Sequence, residues 1–150
     1  MEYQVERVQL IQQPSAVVCG RVPRDGIPGF LGGAFGEVMG VLAAQGVEPA
    51  GPPFGCYLPT SDGFDVEAGF PTSVPVEPAG RVVPSTLPGG SAIQVLHRGP
   101  YAGVAAAYQA GEVWLAERGG EPTAPPWESY LDEPDVAEPR TLVSMPCRLR

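Results

Sequence analysis

The chain has 150 residues, which is long enough for one domain with a buried core. Its composition, with 43% hydrophobic and 17% charged residues, is typical of a globular rather than a disordered protein. The formal net charge is −8, and the nine basic residues are all arginines, scattered from Arg7 to Arg150 without a cluster that could follow phosphates, so no direct binding of nucleic acid is expected. No continuous apolar run reaches the roughly 18 residues of a membrane span, and the N-terminus lacks the order of a signal peptide, so we expect a cytoplasmic protein without a membrane segment.

The first half of the chain predicts the order strand, helix, strand, strand. A short apolar run at 16–22 is typical of a strand, and 27–45 shows helical spacing that ends at a plausible C-cap, Gly46. Two strands follow, at 55–58 and 64–70, joined by a turn. A proline-rich connection then leads to the second half and includes a further strand at 81–87.

The second half repeats this order. It predicts a strand at 91–97, a turn at 98–101, a helix at 103–117, and strands at 127–131 and 140–149. The segment FGEVMGVLAAQG resembles YQAGEVWLAERG, and one offset of 73 positions aligns Phe35 with Tyr108 and Phe54 with Trp127. The shared order and register favour a true internal repeat, with repeats at about 1–75 and 80–150.

The duplication predicts an α+β fold, built as one domain over residues 1–150. Two βαββ units would be related by pseudo-twofold symmetry and would share one curved antiparallel sheet that carries two helices. Such an arrangement predicts a central ligand crevice between the halves, because ligand sites favour internal interfaces.

The cysteine and histidine pattern predicts no metal site and no disulfide framework, and no cofactor is expected. Cys19, Cys56 and Cys147 are far apart and form no C-x-x-C pair, and the single histidine, His97, has no ligand-like neighbour. The cysteines are interpreted as small buried hydrophobes, and a Cys–His nucleophile pair has no local support.

The segment PWESYL places a carboxylate between aromatic residues in a predicted strand. Alternation puts Glu128 and Tyr130 on one face, whereas Trp127 and its first-half counterpart Phe54 lie on the other face and are expected to pack against the helices. In an aromatic pocket, Glu128 would attract cations by about 4 kcal/mol at about 4 Å and an effective dielectric near 20, before desolvation. Ring faces would add roughly 0.5–2 kcal/mol. The alternative is an exposed or hydrogen-bonded strand acid.

Other aromatic residues are candidates for the walls of such a pocket. Tyr57 is the counterpart of Tyr130, while Gly55 stands where Glu128 would be, so the pocket would hold a single acid. Three further aromatics could face either the pocket or the core, and one methionine could supply an apolar floor. These four residues are Tyr101, Tyr108, Phe35 and Met145.

The stretch IQVLHRGPYAGVAAAYQAGEVWLAERGGEP, with PPWESYLDEP and VSMPC after it, resembles the GyrI-like effector-binding domain. The resemblance is specific over about 91–149 and reaches the first half mainly through the duplication. Members of this family have two βαββ halves around a ligand crevice, and occur alone or as ligand-sensing modules of bacterial AraC- and MerR-type regulators. The resemblance implies that Glu128 lies at the bottom of an aromatic pocket that binds many lipophilic, often cationic, drug-like compounds. Because no helix-turn-helix precedes residue 1, the stand-alone form is expected.

Three functions remain open at this stage. The first is a polyspecific binding or sequestering protein for lipophilic cationic small molecules. The second is a hydrolase that opens cyclopropane rings of reactive natural products, as some GyrI-like proteins do, with Glu128 as general base and Tyr130 or Tyr101 orienting substrate or water. The third is an inhibitor that acts on a DNA-handling enzyme through its acidic surface.

Overall fold

The computed structural model describes residues 3–133 and 135–149. Four residues lie outside this part of the chain, namely Met1, Glu2, Pro134 and Arg150, and they include both ends of the predicted 1–150 domain. The described part contains two helices and nine strands, and the strand pairs within each unit described below are antiparallel. This confirms the predicted α+β fold with two helices. The chain divides into two compact units, which we call the N-terminal unit (12–87) and the C-terminal unit (the described parts of 1–11 and 88–150).

The N-terminal unit is a four-stranded sheet with one helix on it. The strands are β2 (Gln13–Val22), β3 (Phe54–Pro59), β4 (Phe64–Pro71) and β5 (Val82–Leu87), and the helix is α1 (Ile27–Gln45). The strand order is β5–β2–β4–β3. Ala34, Val38 and Leu42, spaced at four residues, form the buried row of α1. Gly46 ends the helix in the left-handed conformation, with φ 66°, as predicted.

Strands β2 and β4 approach each other closely at Gly69. A Cβ atom at this position would lie 1.8 Å from the carbonyl oxygen of Ala16, which is backbone and cannot move aside. Only glycine therefore permits this part of the β2–β4 ladder.

The C-terminal unit has the same plan. Its strands are β1 (Val5–Leu10), β6 (Gly90–Arg98), β7 (Glu121–Pro122), β8 (Trp127–Tyr130) and β9 (Arg140–Arg148), and its helix is α2 (Val104–Glu117). The strand order is β1–β6–β9–β8, and β7 pairs with the end of β9. Val143 and Met145 of β9 pack in a buried cluster with Ala107 and Leu115 of α2, so these residues mark the face of the sheet that α2 covers.

The outer strand of each unit comes from the other half of the chain. Strand β1 belongs to the first repeat but pairs with β6, and β5 belongs to the second repeat but pairs with β2. The chain therefore passes from one unit to the other between Ile11 and Gln12 and returns between Leu87 and Pro88. Because these strands are exchanged, the two units do not coincide with the two predicted repeats.

Helix α1 bears on the expectation that the chain has no membrane segment. The 22-residue segment Arg24–Gln45 is long and apolar enough to cross a membrane by length and composition alone. The segment contains no unbroken apolar run, because many glycines interrupt its apolar residues without adding charge. Length and composition are weak evidence, since core helices of soluble proteins pass the same test. Here Ala34, Val38 and Leu42 pack against the sheet.

Candidate functional site

Glu128 lies on the face of the C-terminal sheet that α2 covers. The register of β8 with β9 pairs Glu128 with Val143 and Tyr130 with Thr141, so all four side chains share that face. Tyr108, in the middle of α2, donates a hydrogen bond of 2.7 Å from its hydroxyl to Oε2 of Glu128. Tyr130 donates one of 3.0 Å to Oε1. One acid and two tyrosines thus form a connected group, which we call the Glu128 site.

The electrostatics of the Glu128 site are set by partial burial. Loss of water raises the pKa of Glu128 above its usual value, and the hydrogen bonds from Tyr108 and Tyr130 oppose part of that rise. A positive charge on the nearby His97 would lower the pKa of Glu128 as well. Both partners are neutral phenols. Among the described residues, Glu128 forms no ion pair with an arginine. The carboxylate is therefore oriented by its neighbours while its charge is not compensated by a fixed cation.

Tyr101 extends the group of aromatic rings toward solvent. Its ring packs edge-to-face on Tyr130, with 5.5 Å between the centroids, and Tyr101 is 36% exposed. Burial raises the pKa of the Tyr101 phenol, and the negative charges of Asp132, Glu133 and Glu128 raise it further. Tyr101 therefore lies in a region of negative potential between the solvent and Glu128.

Hydrogen bonds fix the backbone around this aromatic pair. Arg140 donates through Nε and Nη2 to the two carboxylate oxygens of Asp132, at 2.9 and 3.0 Å, and its backbone N–H donates to the same side chain. The N–H of Gly99, which lies in the turn before Tyr101, donates to the carbonyl of Pro139. The charge of Asp132 is therefore compensated, in contrast to that of Glu128.

His97 is a buried structural histidine. Its Nε2 lies 2.8 Å from the carbonyl of Pro100, which can only accept, so Nε2 carries the proton. The hydroxyl of Tyr3 then donates to Nδ1, also at 2.8 Å. Both ring nitrogens are used in tying strand β6 to the N-terminal segment and to the turn before α2. A catalytic role, which the sequence also disfavours, has no support in this geometry.

The remaining predicted residues lie elsewhere in the fold. Tyr57 and Phe35 belong to the N-terminal unit, where Tyr57 packs edge-to-face on Phe64 and Phe35 on Phe70. Met145 is buried under α2, and a Cβ on Gly111 would lie 2.5 Å from its sulfur. The participation of these three residues in ligand binding stays a prediction.

The Tyr57 ring lies close to Gly55, the residue that corresponds to Glu128 in the first predicted repeat. A Cβ on Gly55 would lie 2.6 Å from the hydroxyl oxygen of Tyr57 and 2.8 Å from its Cζ. The tyrosine ring thus leans over the position that corresponds to Glu128. A side chain on residue 55 would require the Tyr57 ring to turn away.

Two aromatic residues face the opposite way from the expectation. Trp127 pairs with Ser144, which alternates with Val143 and therefore lies on the face of the sheet away from α2. Phe54 pairs with Gly69, and by the same alternation lies away from α1, which packs on Val66 and Ala68. The prediction that Trp127 and Phe54 pack against the helices is wrong. Alternation separates the two faces but does not reveal which one a helix covers.

The cysteines are not all buried. Cys147 is buried and Cys56 partly so, but Cys19, which lies on the face of β2 that α1 does not cover, is exposed. The interpretation of all three as buried hydrophobes is therefore wrong for Cys19. Within the described residues, no group of three or more His, Cys, Asp or Glu side chains is placed to hold a metal ion.

Two surface cavities lie in the C-terminal unit, away from Glu128. One, of about 550 Å³, is lined by polar and apolar residues at one end of the sheet, including Arg7, Ser91 and Cys147. The other, of about 440 Å³, lies between β1 and α2 and includes Tyr3 and Trp114. Glu128 lines neither cavity, so the crevice expected at the acid does not correspond to either of them.

Thr141 is a residue of this region that sequence reasoning missed. It is fully buried directly opposite Tyr130, and its Oγ1 has no hydrogen-bond partner within the described part of the chain. Alternation along β9 would have placed it on the face of Val143 and Met145, but only the register with β8 brings it next to the Glu128 site.

Comparison with known proteins gives one family and several similar folds. The family model described as the GyrI-like small-molecule binding domain matches residues 3–148. No match was found among curated proteins. The fold is similar to the C-terminal domain of EcmrR, with a TM-score of 0.80, 23% identity and full coverage of both chains. In the EcmrR–DNA complex the match has a TM-score of 0.85 and 23% identity, and covers 99% of this chain but only 58% of EcmrR.

Two more distant structures share the fold. SAV2435, solved with bound tetraphenylphosphonium, has a TM-score of 0.58 and 18% identity, over 99% of this chain and 94% of that one. A hydrolase from Listeria innocua has a TM-score of 0.69 and 13% identity, over 97% and 92% of the two chains. At these identities the likeness shows a common fold.

Proposed function

This chain belongs to the GyrI-like small-molecule binding family, and we propose that it binds hydrophobic, preferably cationic aromatic compounds at Glu128. The observation that carries the proposal is the carboxylate of Glu128, held by the hydroxyls of Tyr108 and Tyr130 and left without a fixed counter-ion among the described residues. A carboxylate in such surroundings gains most from a partner that brings a positive charge and needs little water.

The aromatic residues around Glu128 suit ligands with a flat apolar body. Tyr130 and Tyr101 offer ring surfaces next to the acid, and a cation over a ring face gains roughly 0.5–2 kcal/mol. Recognition by ring faces and one charge places few demands on ligand shape, which favours binding of many compounds. The phosphonium cation bound by SAV2435, which shares the fold, has this chemistry and supports the proposal.

We further propose that the protein acts in the cytoplasm by binding or sequestering such compounds, without contacting DNA itself. The net charge of −8 and the scattered arginines support the absence of DNA contact, because binding of a nucleic acid requires a basic surface. In EcmrR, the similar domain is part of a longer chain that is complexed with DNA.

A fluorescence titration with two dyes of similar shape, one cationic and one neutral, tests this function. The wild-type protein is expected to prefer the cationic dye, and Glu128→Gln to lose that preference while retaining the neutral dye. Glu128→Gln keeps the size of the side chain, and circular dichroism would verify its fold. If neither dye binds the wild-type protein, or if the preference survives in Glu128→Gln, the proposal fails.

A second candidate function is hydrolysis of an electrophilic natural product by opening of a strained cyclopropane ring. It is favoured by the raised pKa of Glu128, which suits a general base, and by the tyrosine hydroxyls beside it. The Listeria innocua hydrolase with the same fold is consistent with it. Glu128 would take a proton from water as the water oxygen bonds to one ring carbon and the ring C–C bond breaks. The electron pair of that bond would stay with the other carbon, which then takes up the proton from Glu128, so that water is added across the bond while Tyr130 or Tyr101 orients the reactants. Product formation that Glu128→Gln abolishes would support this candidate, and no product with saturating enzyme would exclude it.

A further inference from the structure

Thr141 occupies a central position on the face of the sheet that carries Glu128. In strand β9 it is paired with Tyr130 of β8 on one side and with His97 of β6 on the other. Glu128 is paired with Val143, so it is the diagonal neighbour of Thr141, with the two Cα atoms about 7–8 Å apart by general sheet geometry. Glu128 and Thr141 are therefore neighbours on one face of the sheet, and Tyr130 is paired directly with Thr141.

The hydroxyl of Thr141 is buried and has no protein partner. Its residue is 0% exposed, and Oγ1 makes no hydrogen bond to any described residue. Buried hydroxyls nearly always have a partner, because losing the bonds to water without replacing them is unfavourable. The neighbour on the β6 side, His97, already uses both of its ring nitrogens, so it offers Thr141 nothing.

Two other buried hydroxyls share this property but not this position. Those of Ser15 and Thr72 also lack a partner among the described residues, and both lie in the N-terminal unit. Ser15 is paired with Pro71 and Ser85, and Thr72 with Pro49. None of these neighbours is charged. Ser85 does donate a hydrogen bond of 3.3 Å to Glu67, but that carboxylate is exposed to solvent. Thr141 differs because its neighbour Tyr130 is hydrogen-bonded to Glu128, whose carboxylate is partly buried.

We propose that the Thr141 hydroxyl is a second polar contact of the Glu128 site and that it selects protonated primary and secondary amines over fully substituted onium cations. This inference rests on the proposed binding of cations at Glu128. One N–H of the ammonium group donates to Oε1 of Glu128 in place of the Tyr130 hydroxyl. The Tyr130 ring, which is only partly buried, turns away from Thr141. A second N–H then donates to Oγ1 of Thr141. A quaternary ammonium or phosphonium ion has no N–H and cannot use this contact.

Binding of a matched pair of probes tests the inference. The pair is naphthylmethylammonium and its N,N,N-trimethyl derivative, which share one aromatic body and one charge. The variants are Thr141→Val, which removes the hydroxyl and keeps the shape, and Thr141→Ser, which keeps the hydroxyl. Thr141→Ala serves as a second deletion of the hydroxyl. Thermal unfolding shows that each variant is folded.

We expect the wild-type protein to prefer the primary amine. Thr141→Val and Thr141→Ala should weaken amine binding about tenfold, the value of one hydrogen bond, and leave the trimethyl probe unchanged, whereas Thr141→Ser should retain the preference. Equal effects on both probes, or no effect on either, would overturn the inference and leave cation binding at Glu128 intact. If neither probe binds the wild-type protein, the proposed function fails, and this inference fails with it.

Discussion

The hydroxyl of Tyr108, on helix α2, donates a hydrogen bond of 2.7 Å to Oε2 of Glu128, on strand β8. This bond links the helix to the sheet at an acid that has no counterpart in the first predicted repeat. At the corresponding helix position the first repeat has Phe35, which cannot form such a bond, and at the corresponding strand position it has Gly55. The tyrosine and the acid therefore occur together in one repeat and are both missing from the other.

Replacement of Tyr108 by phenylalanine is expected to raise the pKa of Glu128 further. The hydroxyl bond stabilises the charged carboxylate, and a hydrogen bond to a charged group is worth about 1.5–3 kcal/mol, which corresponds to a rise of roughly one to two pKa units. The aligned position of the first predicted repeat already holds a phenylalanine, Phe35, so the substitution introduces a side chain that occurs naturally in the corresponding helix. An NMR titration of the Glu128 carboxyl carbon measures the shift. An unchanged pKa would mean that the bond does not form in solution.

Stability should depend on pH through Glu128. Its pKa in the folded protein is raised, so the group contributes stability below its unfolded pKa, and that contribution is lost as the pH rises through the folded pKa. The free energy of unfolding of the wild-type protein, measured relative to Glu128→Gln, should therefore fall as the pH rises above about 4.5 and then level off. Urea unfolding of both proteins over a pH series measures this. Parallel curves would contradict the raised pKa.

The affinity for a permanently charged cation should also depend on the ionisation of Glu128, but it should increase as the pH rises. Tetraphenylphosphonium does not titrate, so its affinity reports the charge on the protein. As the pH falls through the raised pKa of Glu128, the carboxylate becomes neutral and binding should weaken, over a window that lies above about 4.5. Glu128→Gln serves as the control and should bind weakly at every pH. A wild-type affinity independent of pH would exclude Glu128 as the counter-ion.

Two glycine substitutions should have opposite effects on stability. Gly69→Ala places a Cβ against the Ala16 carbonyl and should cost on the order of 3 kcal/mol or more, because backbone has to move. Gly36→Ala, on the exposed face of α1 with nothing within 4 Å of the new methyl group, should stabilise by roughly 0.5–1 kcal/mol. Thermal unfolding of the matched pair measures both. Similar stabilities for the two variants would contradict the close approach of β2 and β4.

Removal of the Tyr3 hydroxyl tests the role of His97. In Tyr3→Phe the Nδ1 atom of the buried His97 loses its only donor among the described residues, at a cost of about 1–3 kcal/mol. Chemical denaturation measures the loss, and ring nitrogen shifts in NMR report the change at Nδ1. A variant as stable as the wild type would show that the N-terminal segment does not depend on this bond.

Local patterns in the sequence predicted most of the fold. Helix α1 was predicted over its observed range because the apolar spacing indicates the helix and Gly46 marks its end. Strand β4 was predicted to within one residue. Strand β1 was missed, since its residues VERVQL are mostly polar and its partner β6 lies far away in sequence. A strand that depends on a distant partner leaves little local signal.

The site was predictable only where one element determines it. Alternation correctly placed Glu128 and Tyr130 on one face. Which face α2 covers is set by packing between elements, so the orientation of Trp127 was predicted wrongly. The contact of Tyr3 with His97 joins residues 94 positions apart, and the position of Thr141 depends on the register of β8 with β9. Neither leaves a pattern within one segment.

The exchanged outer strands have a consequence for the origin of the molecule. A polypeptide made of one repeat could cover its β2 or β6 edge only by borrowing the leading arm of another copy, because the arm that it carries reaches across to the other unit. Such an ancestor would have been an obligate pair of chains with interlocked arms. If the two predicted repeats arose by duplication and fusion, that partnership became a single chain in which each half lends its leading arm to the other. The two copies could then diverge until one had the acid and the other had glycine.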